Sequence, residues 1–424
     1  MKLLKLHLKD FKGFEDCRLN IEGKSVVIFG INGTGKSSVL AAINYLCWNW
    51  LYRLNQAQGS AFKSLDSTLV RSGTSKLEIA GEFEFNGKQY WLKKEYLKAR
   101  PGKGAVVMPY KKYYDAFLEA YVSAYGEATQ DAPIFVNYGT NRSVLDIPLR
   151  IRNKHQFSKW TAFERTIENE LDYRTFFEWF RNQEDYEAEL IREREDLDYR
   201  DPLLNCVKRA VQAMLPEFSN LHVKRNPLRL SVTKNGVEYS VDQLSDGEKC
   251  TLALFGDLAR RLALANQNSN DPLSGEGIVL IDEIELHMHP SWQRLVLPTL
   301  KRTFPNIQFI VTTHSPQVLG LADNEFKLFM LSSNDDHNVV LNEIERMDGY
   351  DSNYILEEYM ATDPVNPKFS ALLRGTVDAI EKARFGDAEQ MIEQVKEIVG
   401  EDHPSVIELL GYLKKGKLLY EKNR

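Results

Sequence analysis

Ser25-Val-Val-Ile-Phe29-Gly30-Ile31-Asn32-Gly33-Thr34-Gly35-Lys36-Ser37-Ser38 is an apolar run that ends at a glycine, crosses a loop with two more glycines and leads into a helix expected from Lys36 to about Trp50. The loop fits G-x-x-x-x-G-K-[ST]. Its glycines let backbone N–H groups close around phosphates, Lys36 reaches the β and γ groups, and the Ser37 hydroxyl is placed to ligate Mg²⁺. Gly30, Asn32, Gly33, Gly35, Lys36, Ser37 and Ser38 are therefore the nucleotide-contacting candidates, with ATP and Mg²⁺ as the expected ligands. A buried strand that turns into such a loop belongs to an α/β architecture.

Three downstream motifs complete the constellation. Ile278-Val-Leu-Ile-Asp282-Glu283 is an apolar strand ending in two acids, which places Asp282 near the Mg²⁺ shell and Glu283 where it can orient or deprotonate an attacking water. Thr312-Thr-His314-Ser-Pro316 follows the next strand, so His314 is expected on the same sheet edge, within reach of the γ-phosphate or the water. Leu244-Ser245-Asp246-Gly247-Glu248 sets a serine hydroxyl and a glycine backbone at the start of a helix expected to run to about Ala263. Such an N-terminus is an anion site, and Ser245, Gly247 and Glu248 are read as contacts to the γ-phosphate held by a second copy of the chain. An ordinary helix cap through Ser245 or Asp246 is the plainer alternative. The phosphate loop and this serine loop together imply a dimer that sandwiches ATP.

Other candidates are less defined. Glu285-Leu-His287-Met-His289-Pro290 carries two histidines at i and i+2 without a third metal ligand that can be placed, and reads as a subunit-contacting loop rather than a zinc site. Three roles are open for Arg142: a phosphate contact, a glutamine-loop position, or a partner for acidic helices. Asn141 and Gln183 are both candidates for the metal-sensing glutamine position. Lys111-Lys-Tyr-Tyr114 reads as a basic and aromatic surface patch.

Around these motifs, Lys2 to Lys9 alternates as an amphipathic strand, and the stretches Lys76 to Phe85 and Gln89 to Leu97 flank Asn86-Gly87, a strong hairpin signal. A loop is expected at Arg100 to Gly104 and a buried strand at Ala132 to Gly139. From Ile151 to Asp201 charged residues surround Phe176, Phe177, Trp179 and Phe180, which reads as a helical insertion forming a stubby arm. A second hairpin is expected around Asn235-Gly236, a polar loop over Asn266 to Gly277, a helix opening at Pro290, and helices after Met347 near Asn353 to Tyr359, Phe369 to Phe385, Ala388 to Val399 and Pro404 to Leu413.

At 424 residues the chain exceeds one ordinary core. Its 54 Lys+Arg against 60 Asp+Glu leave a net charge of -6, which excludes a global basic field for nucleic acid; DNA contact then needs a local patch or a partner. Cys17, Cys47, Cys206 and Cys250 have no C-x-x-C spacing and read as reduced thiols of a cytoplasmic protein. No stretch approaches the roughly 20 apolar residues that cross a bilayer, and no membrane association is expected.

The motif set resembles ABC-class ATPase heads of the RecF, chromosome-maintenance and overcoming-lysogenization-defect type, through Gly30 to Ser37, Leu244 to Glu248, Ile278 to Glu283, Glu285 to Pro290 and Thr312 to Pro316. The run Leu280 to Gln293, with Gln308 to Pro316, Tyr350-Asp-Ser-Asn-Tyr-Ile-Leu356 and a short helical tail, looks most like the PtuA family, the ATPase subunits of Septu and related retron anti-phage systems. That resemblance implies a two-lobed head, with a mixed α+β nucleotide-binding lobe over 1–150, a helical insertion over 151–215 and a parallel-sheet lobe over 216–345 that carries the signature, Walker B and switch histidine. A helical partner or oligomerisation region would occupy 346–424. It also implies a homodimer or higher oligomer of dimers, partnered with an HNH-type nuclease like PtuB that cuts DNA. Acids of the tail such as Glu357, Glu358, Asp378 and Glu381 fall on helices rather than strand ends and read as solvated faces, so cutting is expected from another chain. Three other readings fit the motifs: a RecF-like repair ATPase that binds DNA itself, an autonomous nuclease of the overcoming-lysogenization-defect type, and a non-hydrolysing nucleotide-gated scaffold.

Overall fold

A computed structural model describes the chain except for residues 55–63, 100–103, 109, 128–129, 143–156, 170, 323, 335–337, 361–366 and 423–424. The loop expected at Arg100 to Gly104 and the start of the expected insertion fall largely outside the described residues. Two compact units divide the chain, residues 1–351 and 352–424.

In chain order the first unit holds β1 (Lys2–Phe11), β2 (Phe14–Asn20), β3 (Ser25–Phe29), α1 (Lys36–Leu54), β4 (Lys76–Phe85), β5 (Lys88–Leu97), β6 (Val106–Met108), α2 (Lys111–Tyr125), β7 (Ile134–Tyr138), α3 (Tyr173–Arg194) and α4 (Pro202–Met214). It continues with β8 (Phe218–Arg225), β9 (Leu228–Lys234), β10 (Val237–Ser240), α5 (Asp246–Ala265), β11 (Gly277–Ile281), α6 (Pro290–Thr303), β12 (Ile307–Thr313), α7 (Pro316–Leu319), β13 (Phe326–Ser333) and β14 (Val339–Ile344). One sheet runs β14-β13-β3-β12-β11-β7, all parallel except β14. Every residue of β3, β7, β11 and β12 is buried, as the unbroken apolar runs require of strands covered on both faces. Because these four run parallel, their C-terminal ends meet along one edge, and β3, β11 and β12 each carry a motif there.

The antiparallel sheet β2-β1-β4-β5-β6 forms the second layer, and α1 packs against β4 and β5. Its central hairpin turns at Asn86 and Gly87, whose φ angles of 48° and 71° both lie in the left-handed region, as a two-residue turn of this hand requires. Trp50 of α1 meets Phe117 and Tyr121 of α2 with centroid separations of 5.4 and 5.2 Å, so this aromatic face of α2 is core. Tyr114 is buried with them, which corrects the reading of Lys111 to Tyr114 as surface at that one residue: Lys111, Lys112 and Tyr113 face outward. Likewise Phe176, Phe177, Trp179 and Phe180 of α3 are buried, and the Phe176 ring lies where a Cβ on Gly256 of α5 would come within 2.9 Å. The first half of α3 is thus part of the core rather than an arm, with exposed Glu and Arg confined mainly to its second half.

Lys94 of β5 points into this core, 3% exposed, where its ammonium donates to the Tyr45 carbonyl and lies over the Tyr114 ring. Burial pushes its pKa down to about 7 from the ordinary 10.5. Folding therefore costs this group its proton between those values, so its destabilising effect is complete below pH 7 and absent above about 10.5. Lys94→Met is expected to raise stability by about 2 kcal/mol at pH 6, an advantage that shrinks as pH rises toward 10. Denaturant titrations at both pH values check this, and an equal gain at pH 6 and 10 would refute it.

The second unit comprises α8 (Ser352–Met360), α9 (Pro367–Glu381), α10 (Phe385–Val399) and α11 (Pro404–Lys422). Helices α9, α10 and α11 pack pairwise around Ala379, Ala388, Ile392, Val395, Val406 and Leu409. No helix among the described residues is long and apolar enough to cross a membrane.

Candidate nucleotide site

The loop between β3 and α1 needs its glycines. Gly30, Gly33 and Gly35 have φ of 142°, 85° and 94°, and a Cβ on Gly30 would lie 2.2 Å from the Leu331 carbonyl of β13. Lys36 is 7% exposed, and its ammonium donates to the carbonyls of Gly30 at 2.8 Å and Ile31 at 3.0 Å. Burial lowers its pKa, offset in part by Glu285, Glu283 and Asp282. Asn32 and Gly33 are exposed at the loop tip, and Ser38 closes the first helical turn by donating its N–H to Gly35 at 2.9 Å. Left-handed glycines, free backbone donors at a helix N-terminus and one buried lysine suit a chain of phosphates.

Ser37 donates to Asp282 Oδ1 at 3.0 Å, and Thr312 donates to the same oxygen at 2.5 Å. A hydroxyl beside a carboxylate is oxygen chemistry that suits Mg²⁺, so the residues present fit the expected metal. Thr312 Oγ1 also accepts the Glu283 N–H at 2.8 Å, which ties the end of β12 to the turn after β11. Glu283 adopts φ of 47°, the left-handed region, and Arg142 donates from one guanidinium nitrogen to the carbonyls of both Asp282, at 2.7 Å, and Glu283. The sequence leaves three roles open for Arg142; its guanidinium contacts in the structure are to backbone carbonyls.

His314 follows β12, half exposed. Its Nδ1 lies 3.0 Å from Glu285 Oε1, which also accepts the His314 backbone N–H at 2.8 Å. Glu285, 5% exposed, thus fixes which ring nitrogen turns away from the protein. A polar cavity of about 260 Å³ opens beside Ser37 and Asp282, lined further by Lys12, Asn44, Asn137 and Asn169.

Ser245 is the N-cap of α5 in a capping box: Glu248 Oε2 accepts the Ser245 N–H at 2.9 Å and the hydroxyl at 2.8 Å. Lys234 holds the other Glu248 oxygen at 2.5 Å. Burial opposes that charge, but Lys234 and Ser245 keep the carboxyl below its usual range. Glu248 therefore shapes the loop, with both oxygens engaged inside the chain. A Cβ on Gly247 would lie 2.2 Å from the His287 carbonyl, so the loop over 285–290 rests directly on the glycine. His289 caps α6 through Ser291, His287 is exposed, and no cluster of three His, Cys, Asp or Glu suited to a metal ion exists among the described residues.

Lys36, Ser37, Asp282, Glu283 and His314 thus share one sheet edge, whereas among the described residues no hydrogen bond or ion pair joins Ser245 or Glu248 to the phosphate loop of the same chain. Asn141 stands just after β7 on that edge, and Gln183 lies inside α3. Arg142, Thr312 and Glu285 in these positioning contacts, and Asn44, Asn137 and Asn169 beside the cavity, were not assigned from the sequence.

Two family models match the chain: "AAA domain" over residues 5–201 and "AAA domain, putative AbiEii toxin, Type IV TA system" over residues 147–320. The "Retron Ec83 probable ATPase" of Escherichia coli is 29% identical, covering 96% of this chain and 86% of that one. The "DNA replication and repair protein RecF" of Carboxydothermus hydrogenoformans is 25% identical across 45% of this chain and 53% of its own. "Septu protein PtuA" of Bacillus mycoides is 43% identical over 91 residues, 21% of this chain and 12% of that one. By these matches the chain is an AAA-type ATPase related to the retron ATPases, PtuA and RecF.

Proposed function

We propose that this ATPase binds and slowly hydrolyses ATP between two copies of the chain, and that the resulting change of assembly regulates a partner nuclease in cytoplasmic anti-phage defence. The observation that carries the reading is the shared strand edge, where Lys36, the Ser37 and Asp282 pair, Glu283 and His314 converge while the signature loop of the same chain is tied to the 285–290 loop instead. Lys36 and the loop amides hold the phosphates, and Ser37 and Asp282 would hold Mg²⁺, which supplies charge neutralisation at the outer phosphates. Glu283 takes the proton of the attacking water, and His314, oriented by Glu285, donates to the γ-phosphate. Ser245 and Gly247 engage the γ-phosphate bound by the other copy, so nucleotide joins the heads and hydrolysis releases them.

The names of the Retron Ec83 and PtuA relatives support the defence setting, and the PtuA resemblance supports an HNH-type nuclease as the partner, with residues 352–424 as its docking region or as an oligomerisation surface. DNA would be met through that complex.

Complementation tests the shared site. Lys36→Ala and Ser245→Arg are each expected to be inactive alone, since every site in either homodimer lacks one half. A 1:1 mixture forms heterodimers with one intact site and should recover on the order of a quarter of the wild-type turnover, with half of the dimers mixed and one site working in each. Full activity of Ser245→Arg alone, or a silent mixture of two folded variants beside an active wild type, would reject the sandwich.

A further inference from the structure

The segment Tyr138–Arg142 is gripped on one side by α5 and grips the Walker B turn on the other. The Tyr138 hydroxyl donates to Asp257 of α5 at 2.8 Å, and the Cys250 thiol of α5 donates to the Arg142 carbonyl at 3.3 Å. Facing the other way, the Tyr138 carbonyl accepts the Asp282 N–H at 2.9 Å, and the Arg142 guanidinium caps the carbonyls of Asp282 and Glu283. Arg142 is 3% exposed, its Nε has no partner, and burial lowers its pKa against the pull of Cys250 and the acids at 285, 282 and 283. A buried guanidinium spent on two consecutive backbone carbonyls does work that an ordinary ion pair does not. The left-handed Glu283 persists only where its surroundings over-determine it, and here Thr312 holds its N–H, Arg142 its carbonyl, and the Thr312 carbonyl the next amide, Ile284, at 3.0 Å.

We propose that Arg142 is a positioning residue that locks the Asp282–Glu283 backbone in the left-handed turn and thereby aims the Glu283 carboxylate. The inference rests on the reading of the site as ATP-hydrolysing, but its structural half stands apart from turnover. Arg142 touches neither phosphate nor water in this role; it acts through the turn.

Arg142→Met and Arg142→Lys test it with three readouts: amide hydrogen exchange over residues 281–286 in nucleotide-free protein, Kd for a fluorescent ATP analogue, and kcat. In Arg142→Met, exchange at Glu283 and Ile284 should accelerate at least about tenfold as the turn loses its clamp. The kcat should fall about 10- to 100-fold with Kd within about twofold, the signature of a misaimed group rather than lost binding. Arg142→Lys, which can still reach a carbonyl, should recover part of both. Unchanged exchange and kcat, or a Kd that weakens in step with kcat, would overturn the proposal. If Arg142→Met does not fold, Arg142→Lys decides alone: faster exchange with retained Kd supports the role, and wild-type exchange and kcat reject it. A wild type without ATPase activity would reject the hydrolytic reading, while the exchange measurement would still judge the clamp.

Discussion

Glu283→Gln is expected to lower kcat by about 10²- to 10⁴-fold while leaving ATP affinity nearly unchanged, because it removes one proton acceptor and nothing that holds the nucleotide. The substitution keeps size and shape, and the backbone contacts of Glu283 to Thr312 and Arg142 do not involve its carboxylate. Lys36, Ser37 and Asp282, the groups placed for phosphate and metal, are untouched. With binding intact and release blocked, the ATP-joined dimer should accumulate, so the variant should elute at twice the monomer mass on ATP addition and stay there for hours. Lys36→Ala, which removes the buried ammonium from the loop, should never form that species. Light scattering during size exclusion with a phosphate-release assay reads both effects. A Glu283→Gln protein that turns over normally and shows no change of size with ATP would remove Glu283 from the role of base.

What the sequence disclosed follows from what each feature demands of its residues. A left-handed backbone within touching distance of another carbonyl tolerates only glycine at Gly30, and a parallel strand covered on both faces must be an apolar run, as in Ile278 to Ile281. Motifs at such strand ends were therefore readable, as was the helical tail from its periodicity. The contacts that aim the chemistry were not. Arg142 binds carbonyls, which every residue has, so no partner residue marks its target. Glu285 meets His314 only because β11 and β12 are neighbours, a pairing fixed by the whole sheet. No Asn-Gly pair stands between β13 and β14 to mark a hairpin as Asn86-Gly87 does. Helix α2 does carry Tyr114, Phe117 and Tyr121 at helical spacing, but its opening lysines drew the reading to the surface. In α3 the reverse occurred, with charge dominating the composition while one aromatic stretch was buried.

The same coupling of α5 to the strand edge makes Asp257→Asn the most damaging single change expected for the fold. Asp257 is 0% exposed, with one oxygen accepting from Arg260 at 2.6 and 3.0 Å and the other from Arg261 at 2.7 Å and from the Tyr138 hydroxyl. Arg261 Nη1 donates to the carbonyls of Ala162 and Glu164 at 2.7 and 2.9 Å, so one carboxylate organises α5, the end of β7 and the turn before α3. Burial opposes its charge, yet Arg261 and Arg260 hold its pKa at about 2 against an ordinary 3.8. A depressed carboxyl contributes stability that is present above pH 3.8 and fades as pH falls through about 2, so at neutral pH the full contribution is in force. Asparagine leaves two guanidinium groups in the core with no anion and presents an N–H₂ where an oxygen accepted, a loss of about 3–5 kcal/mol. All six tryptophans lie within residues 1–351, so tryptophan fluorescence in a denaturant titration at pH 7 follows this unit alone. A shift below about 1 kcal/mol would show that the triad is dispensable, as some buried charge clusters are when their surroundings repack. A large shift with retained ATP binding at low temperature would instead mean that α5 and the segment before Arg142 are stabilised by Asp257 without depending on it for their shape.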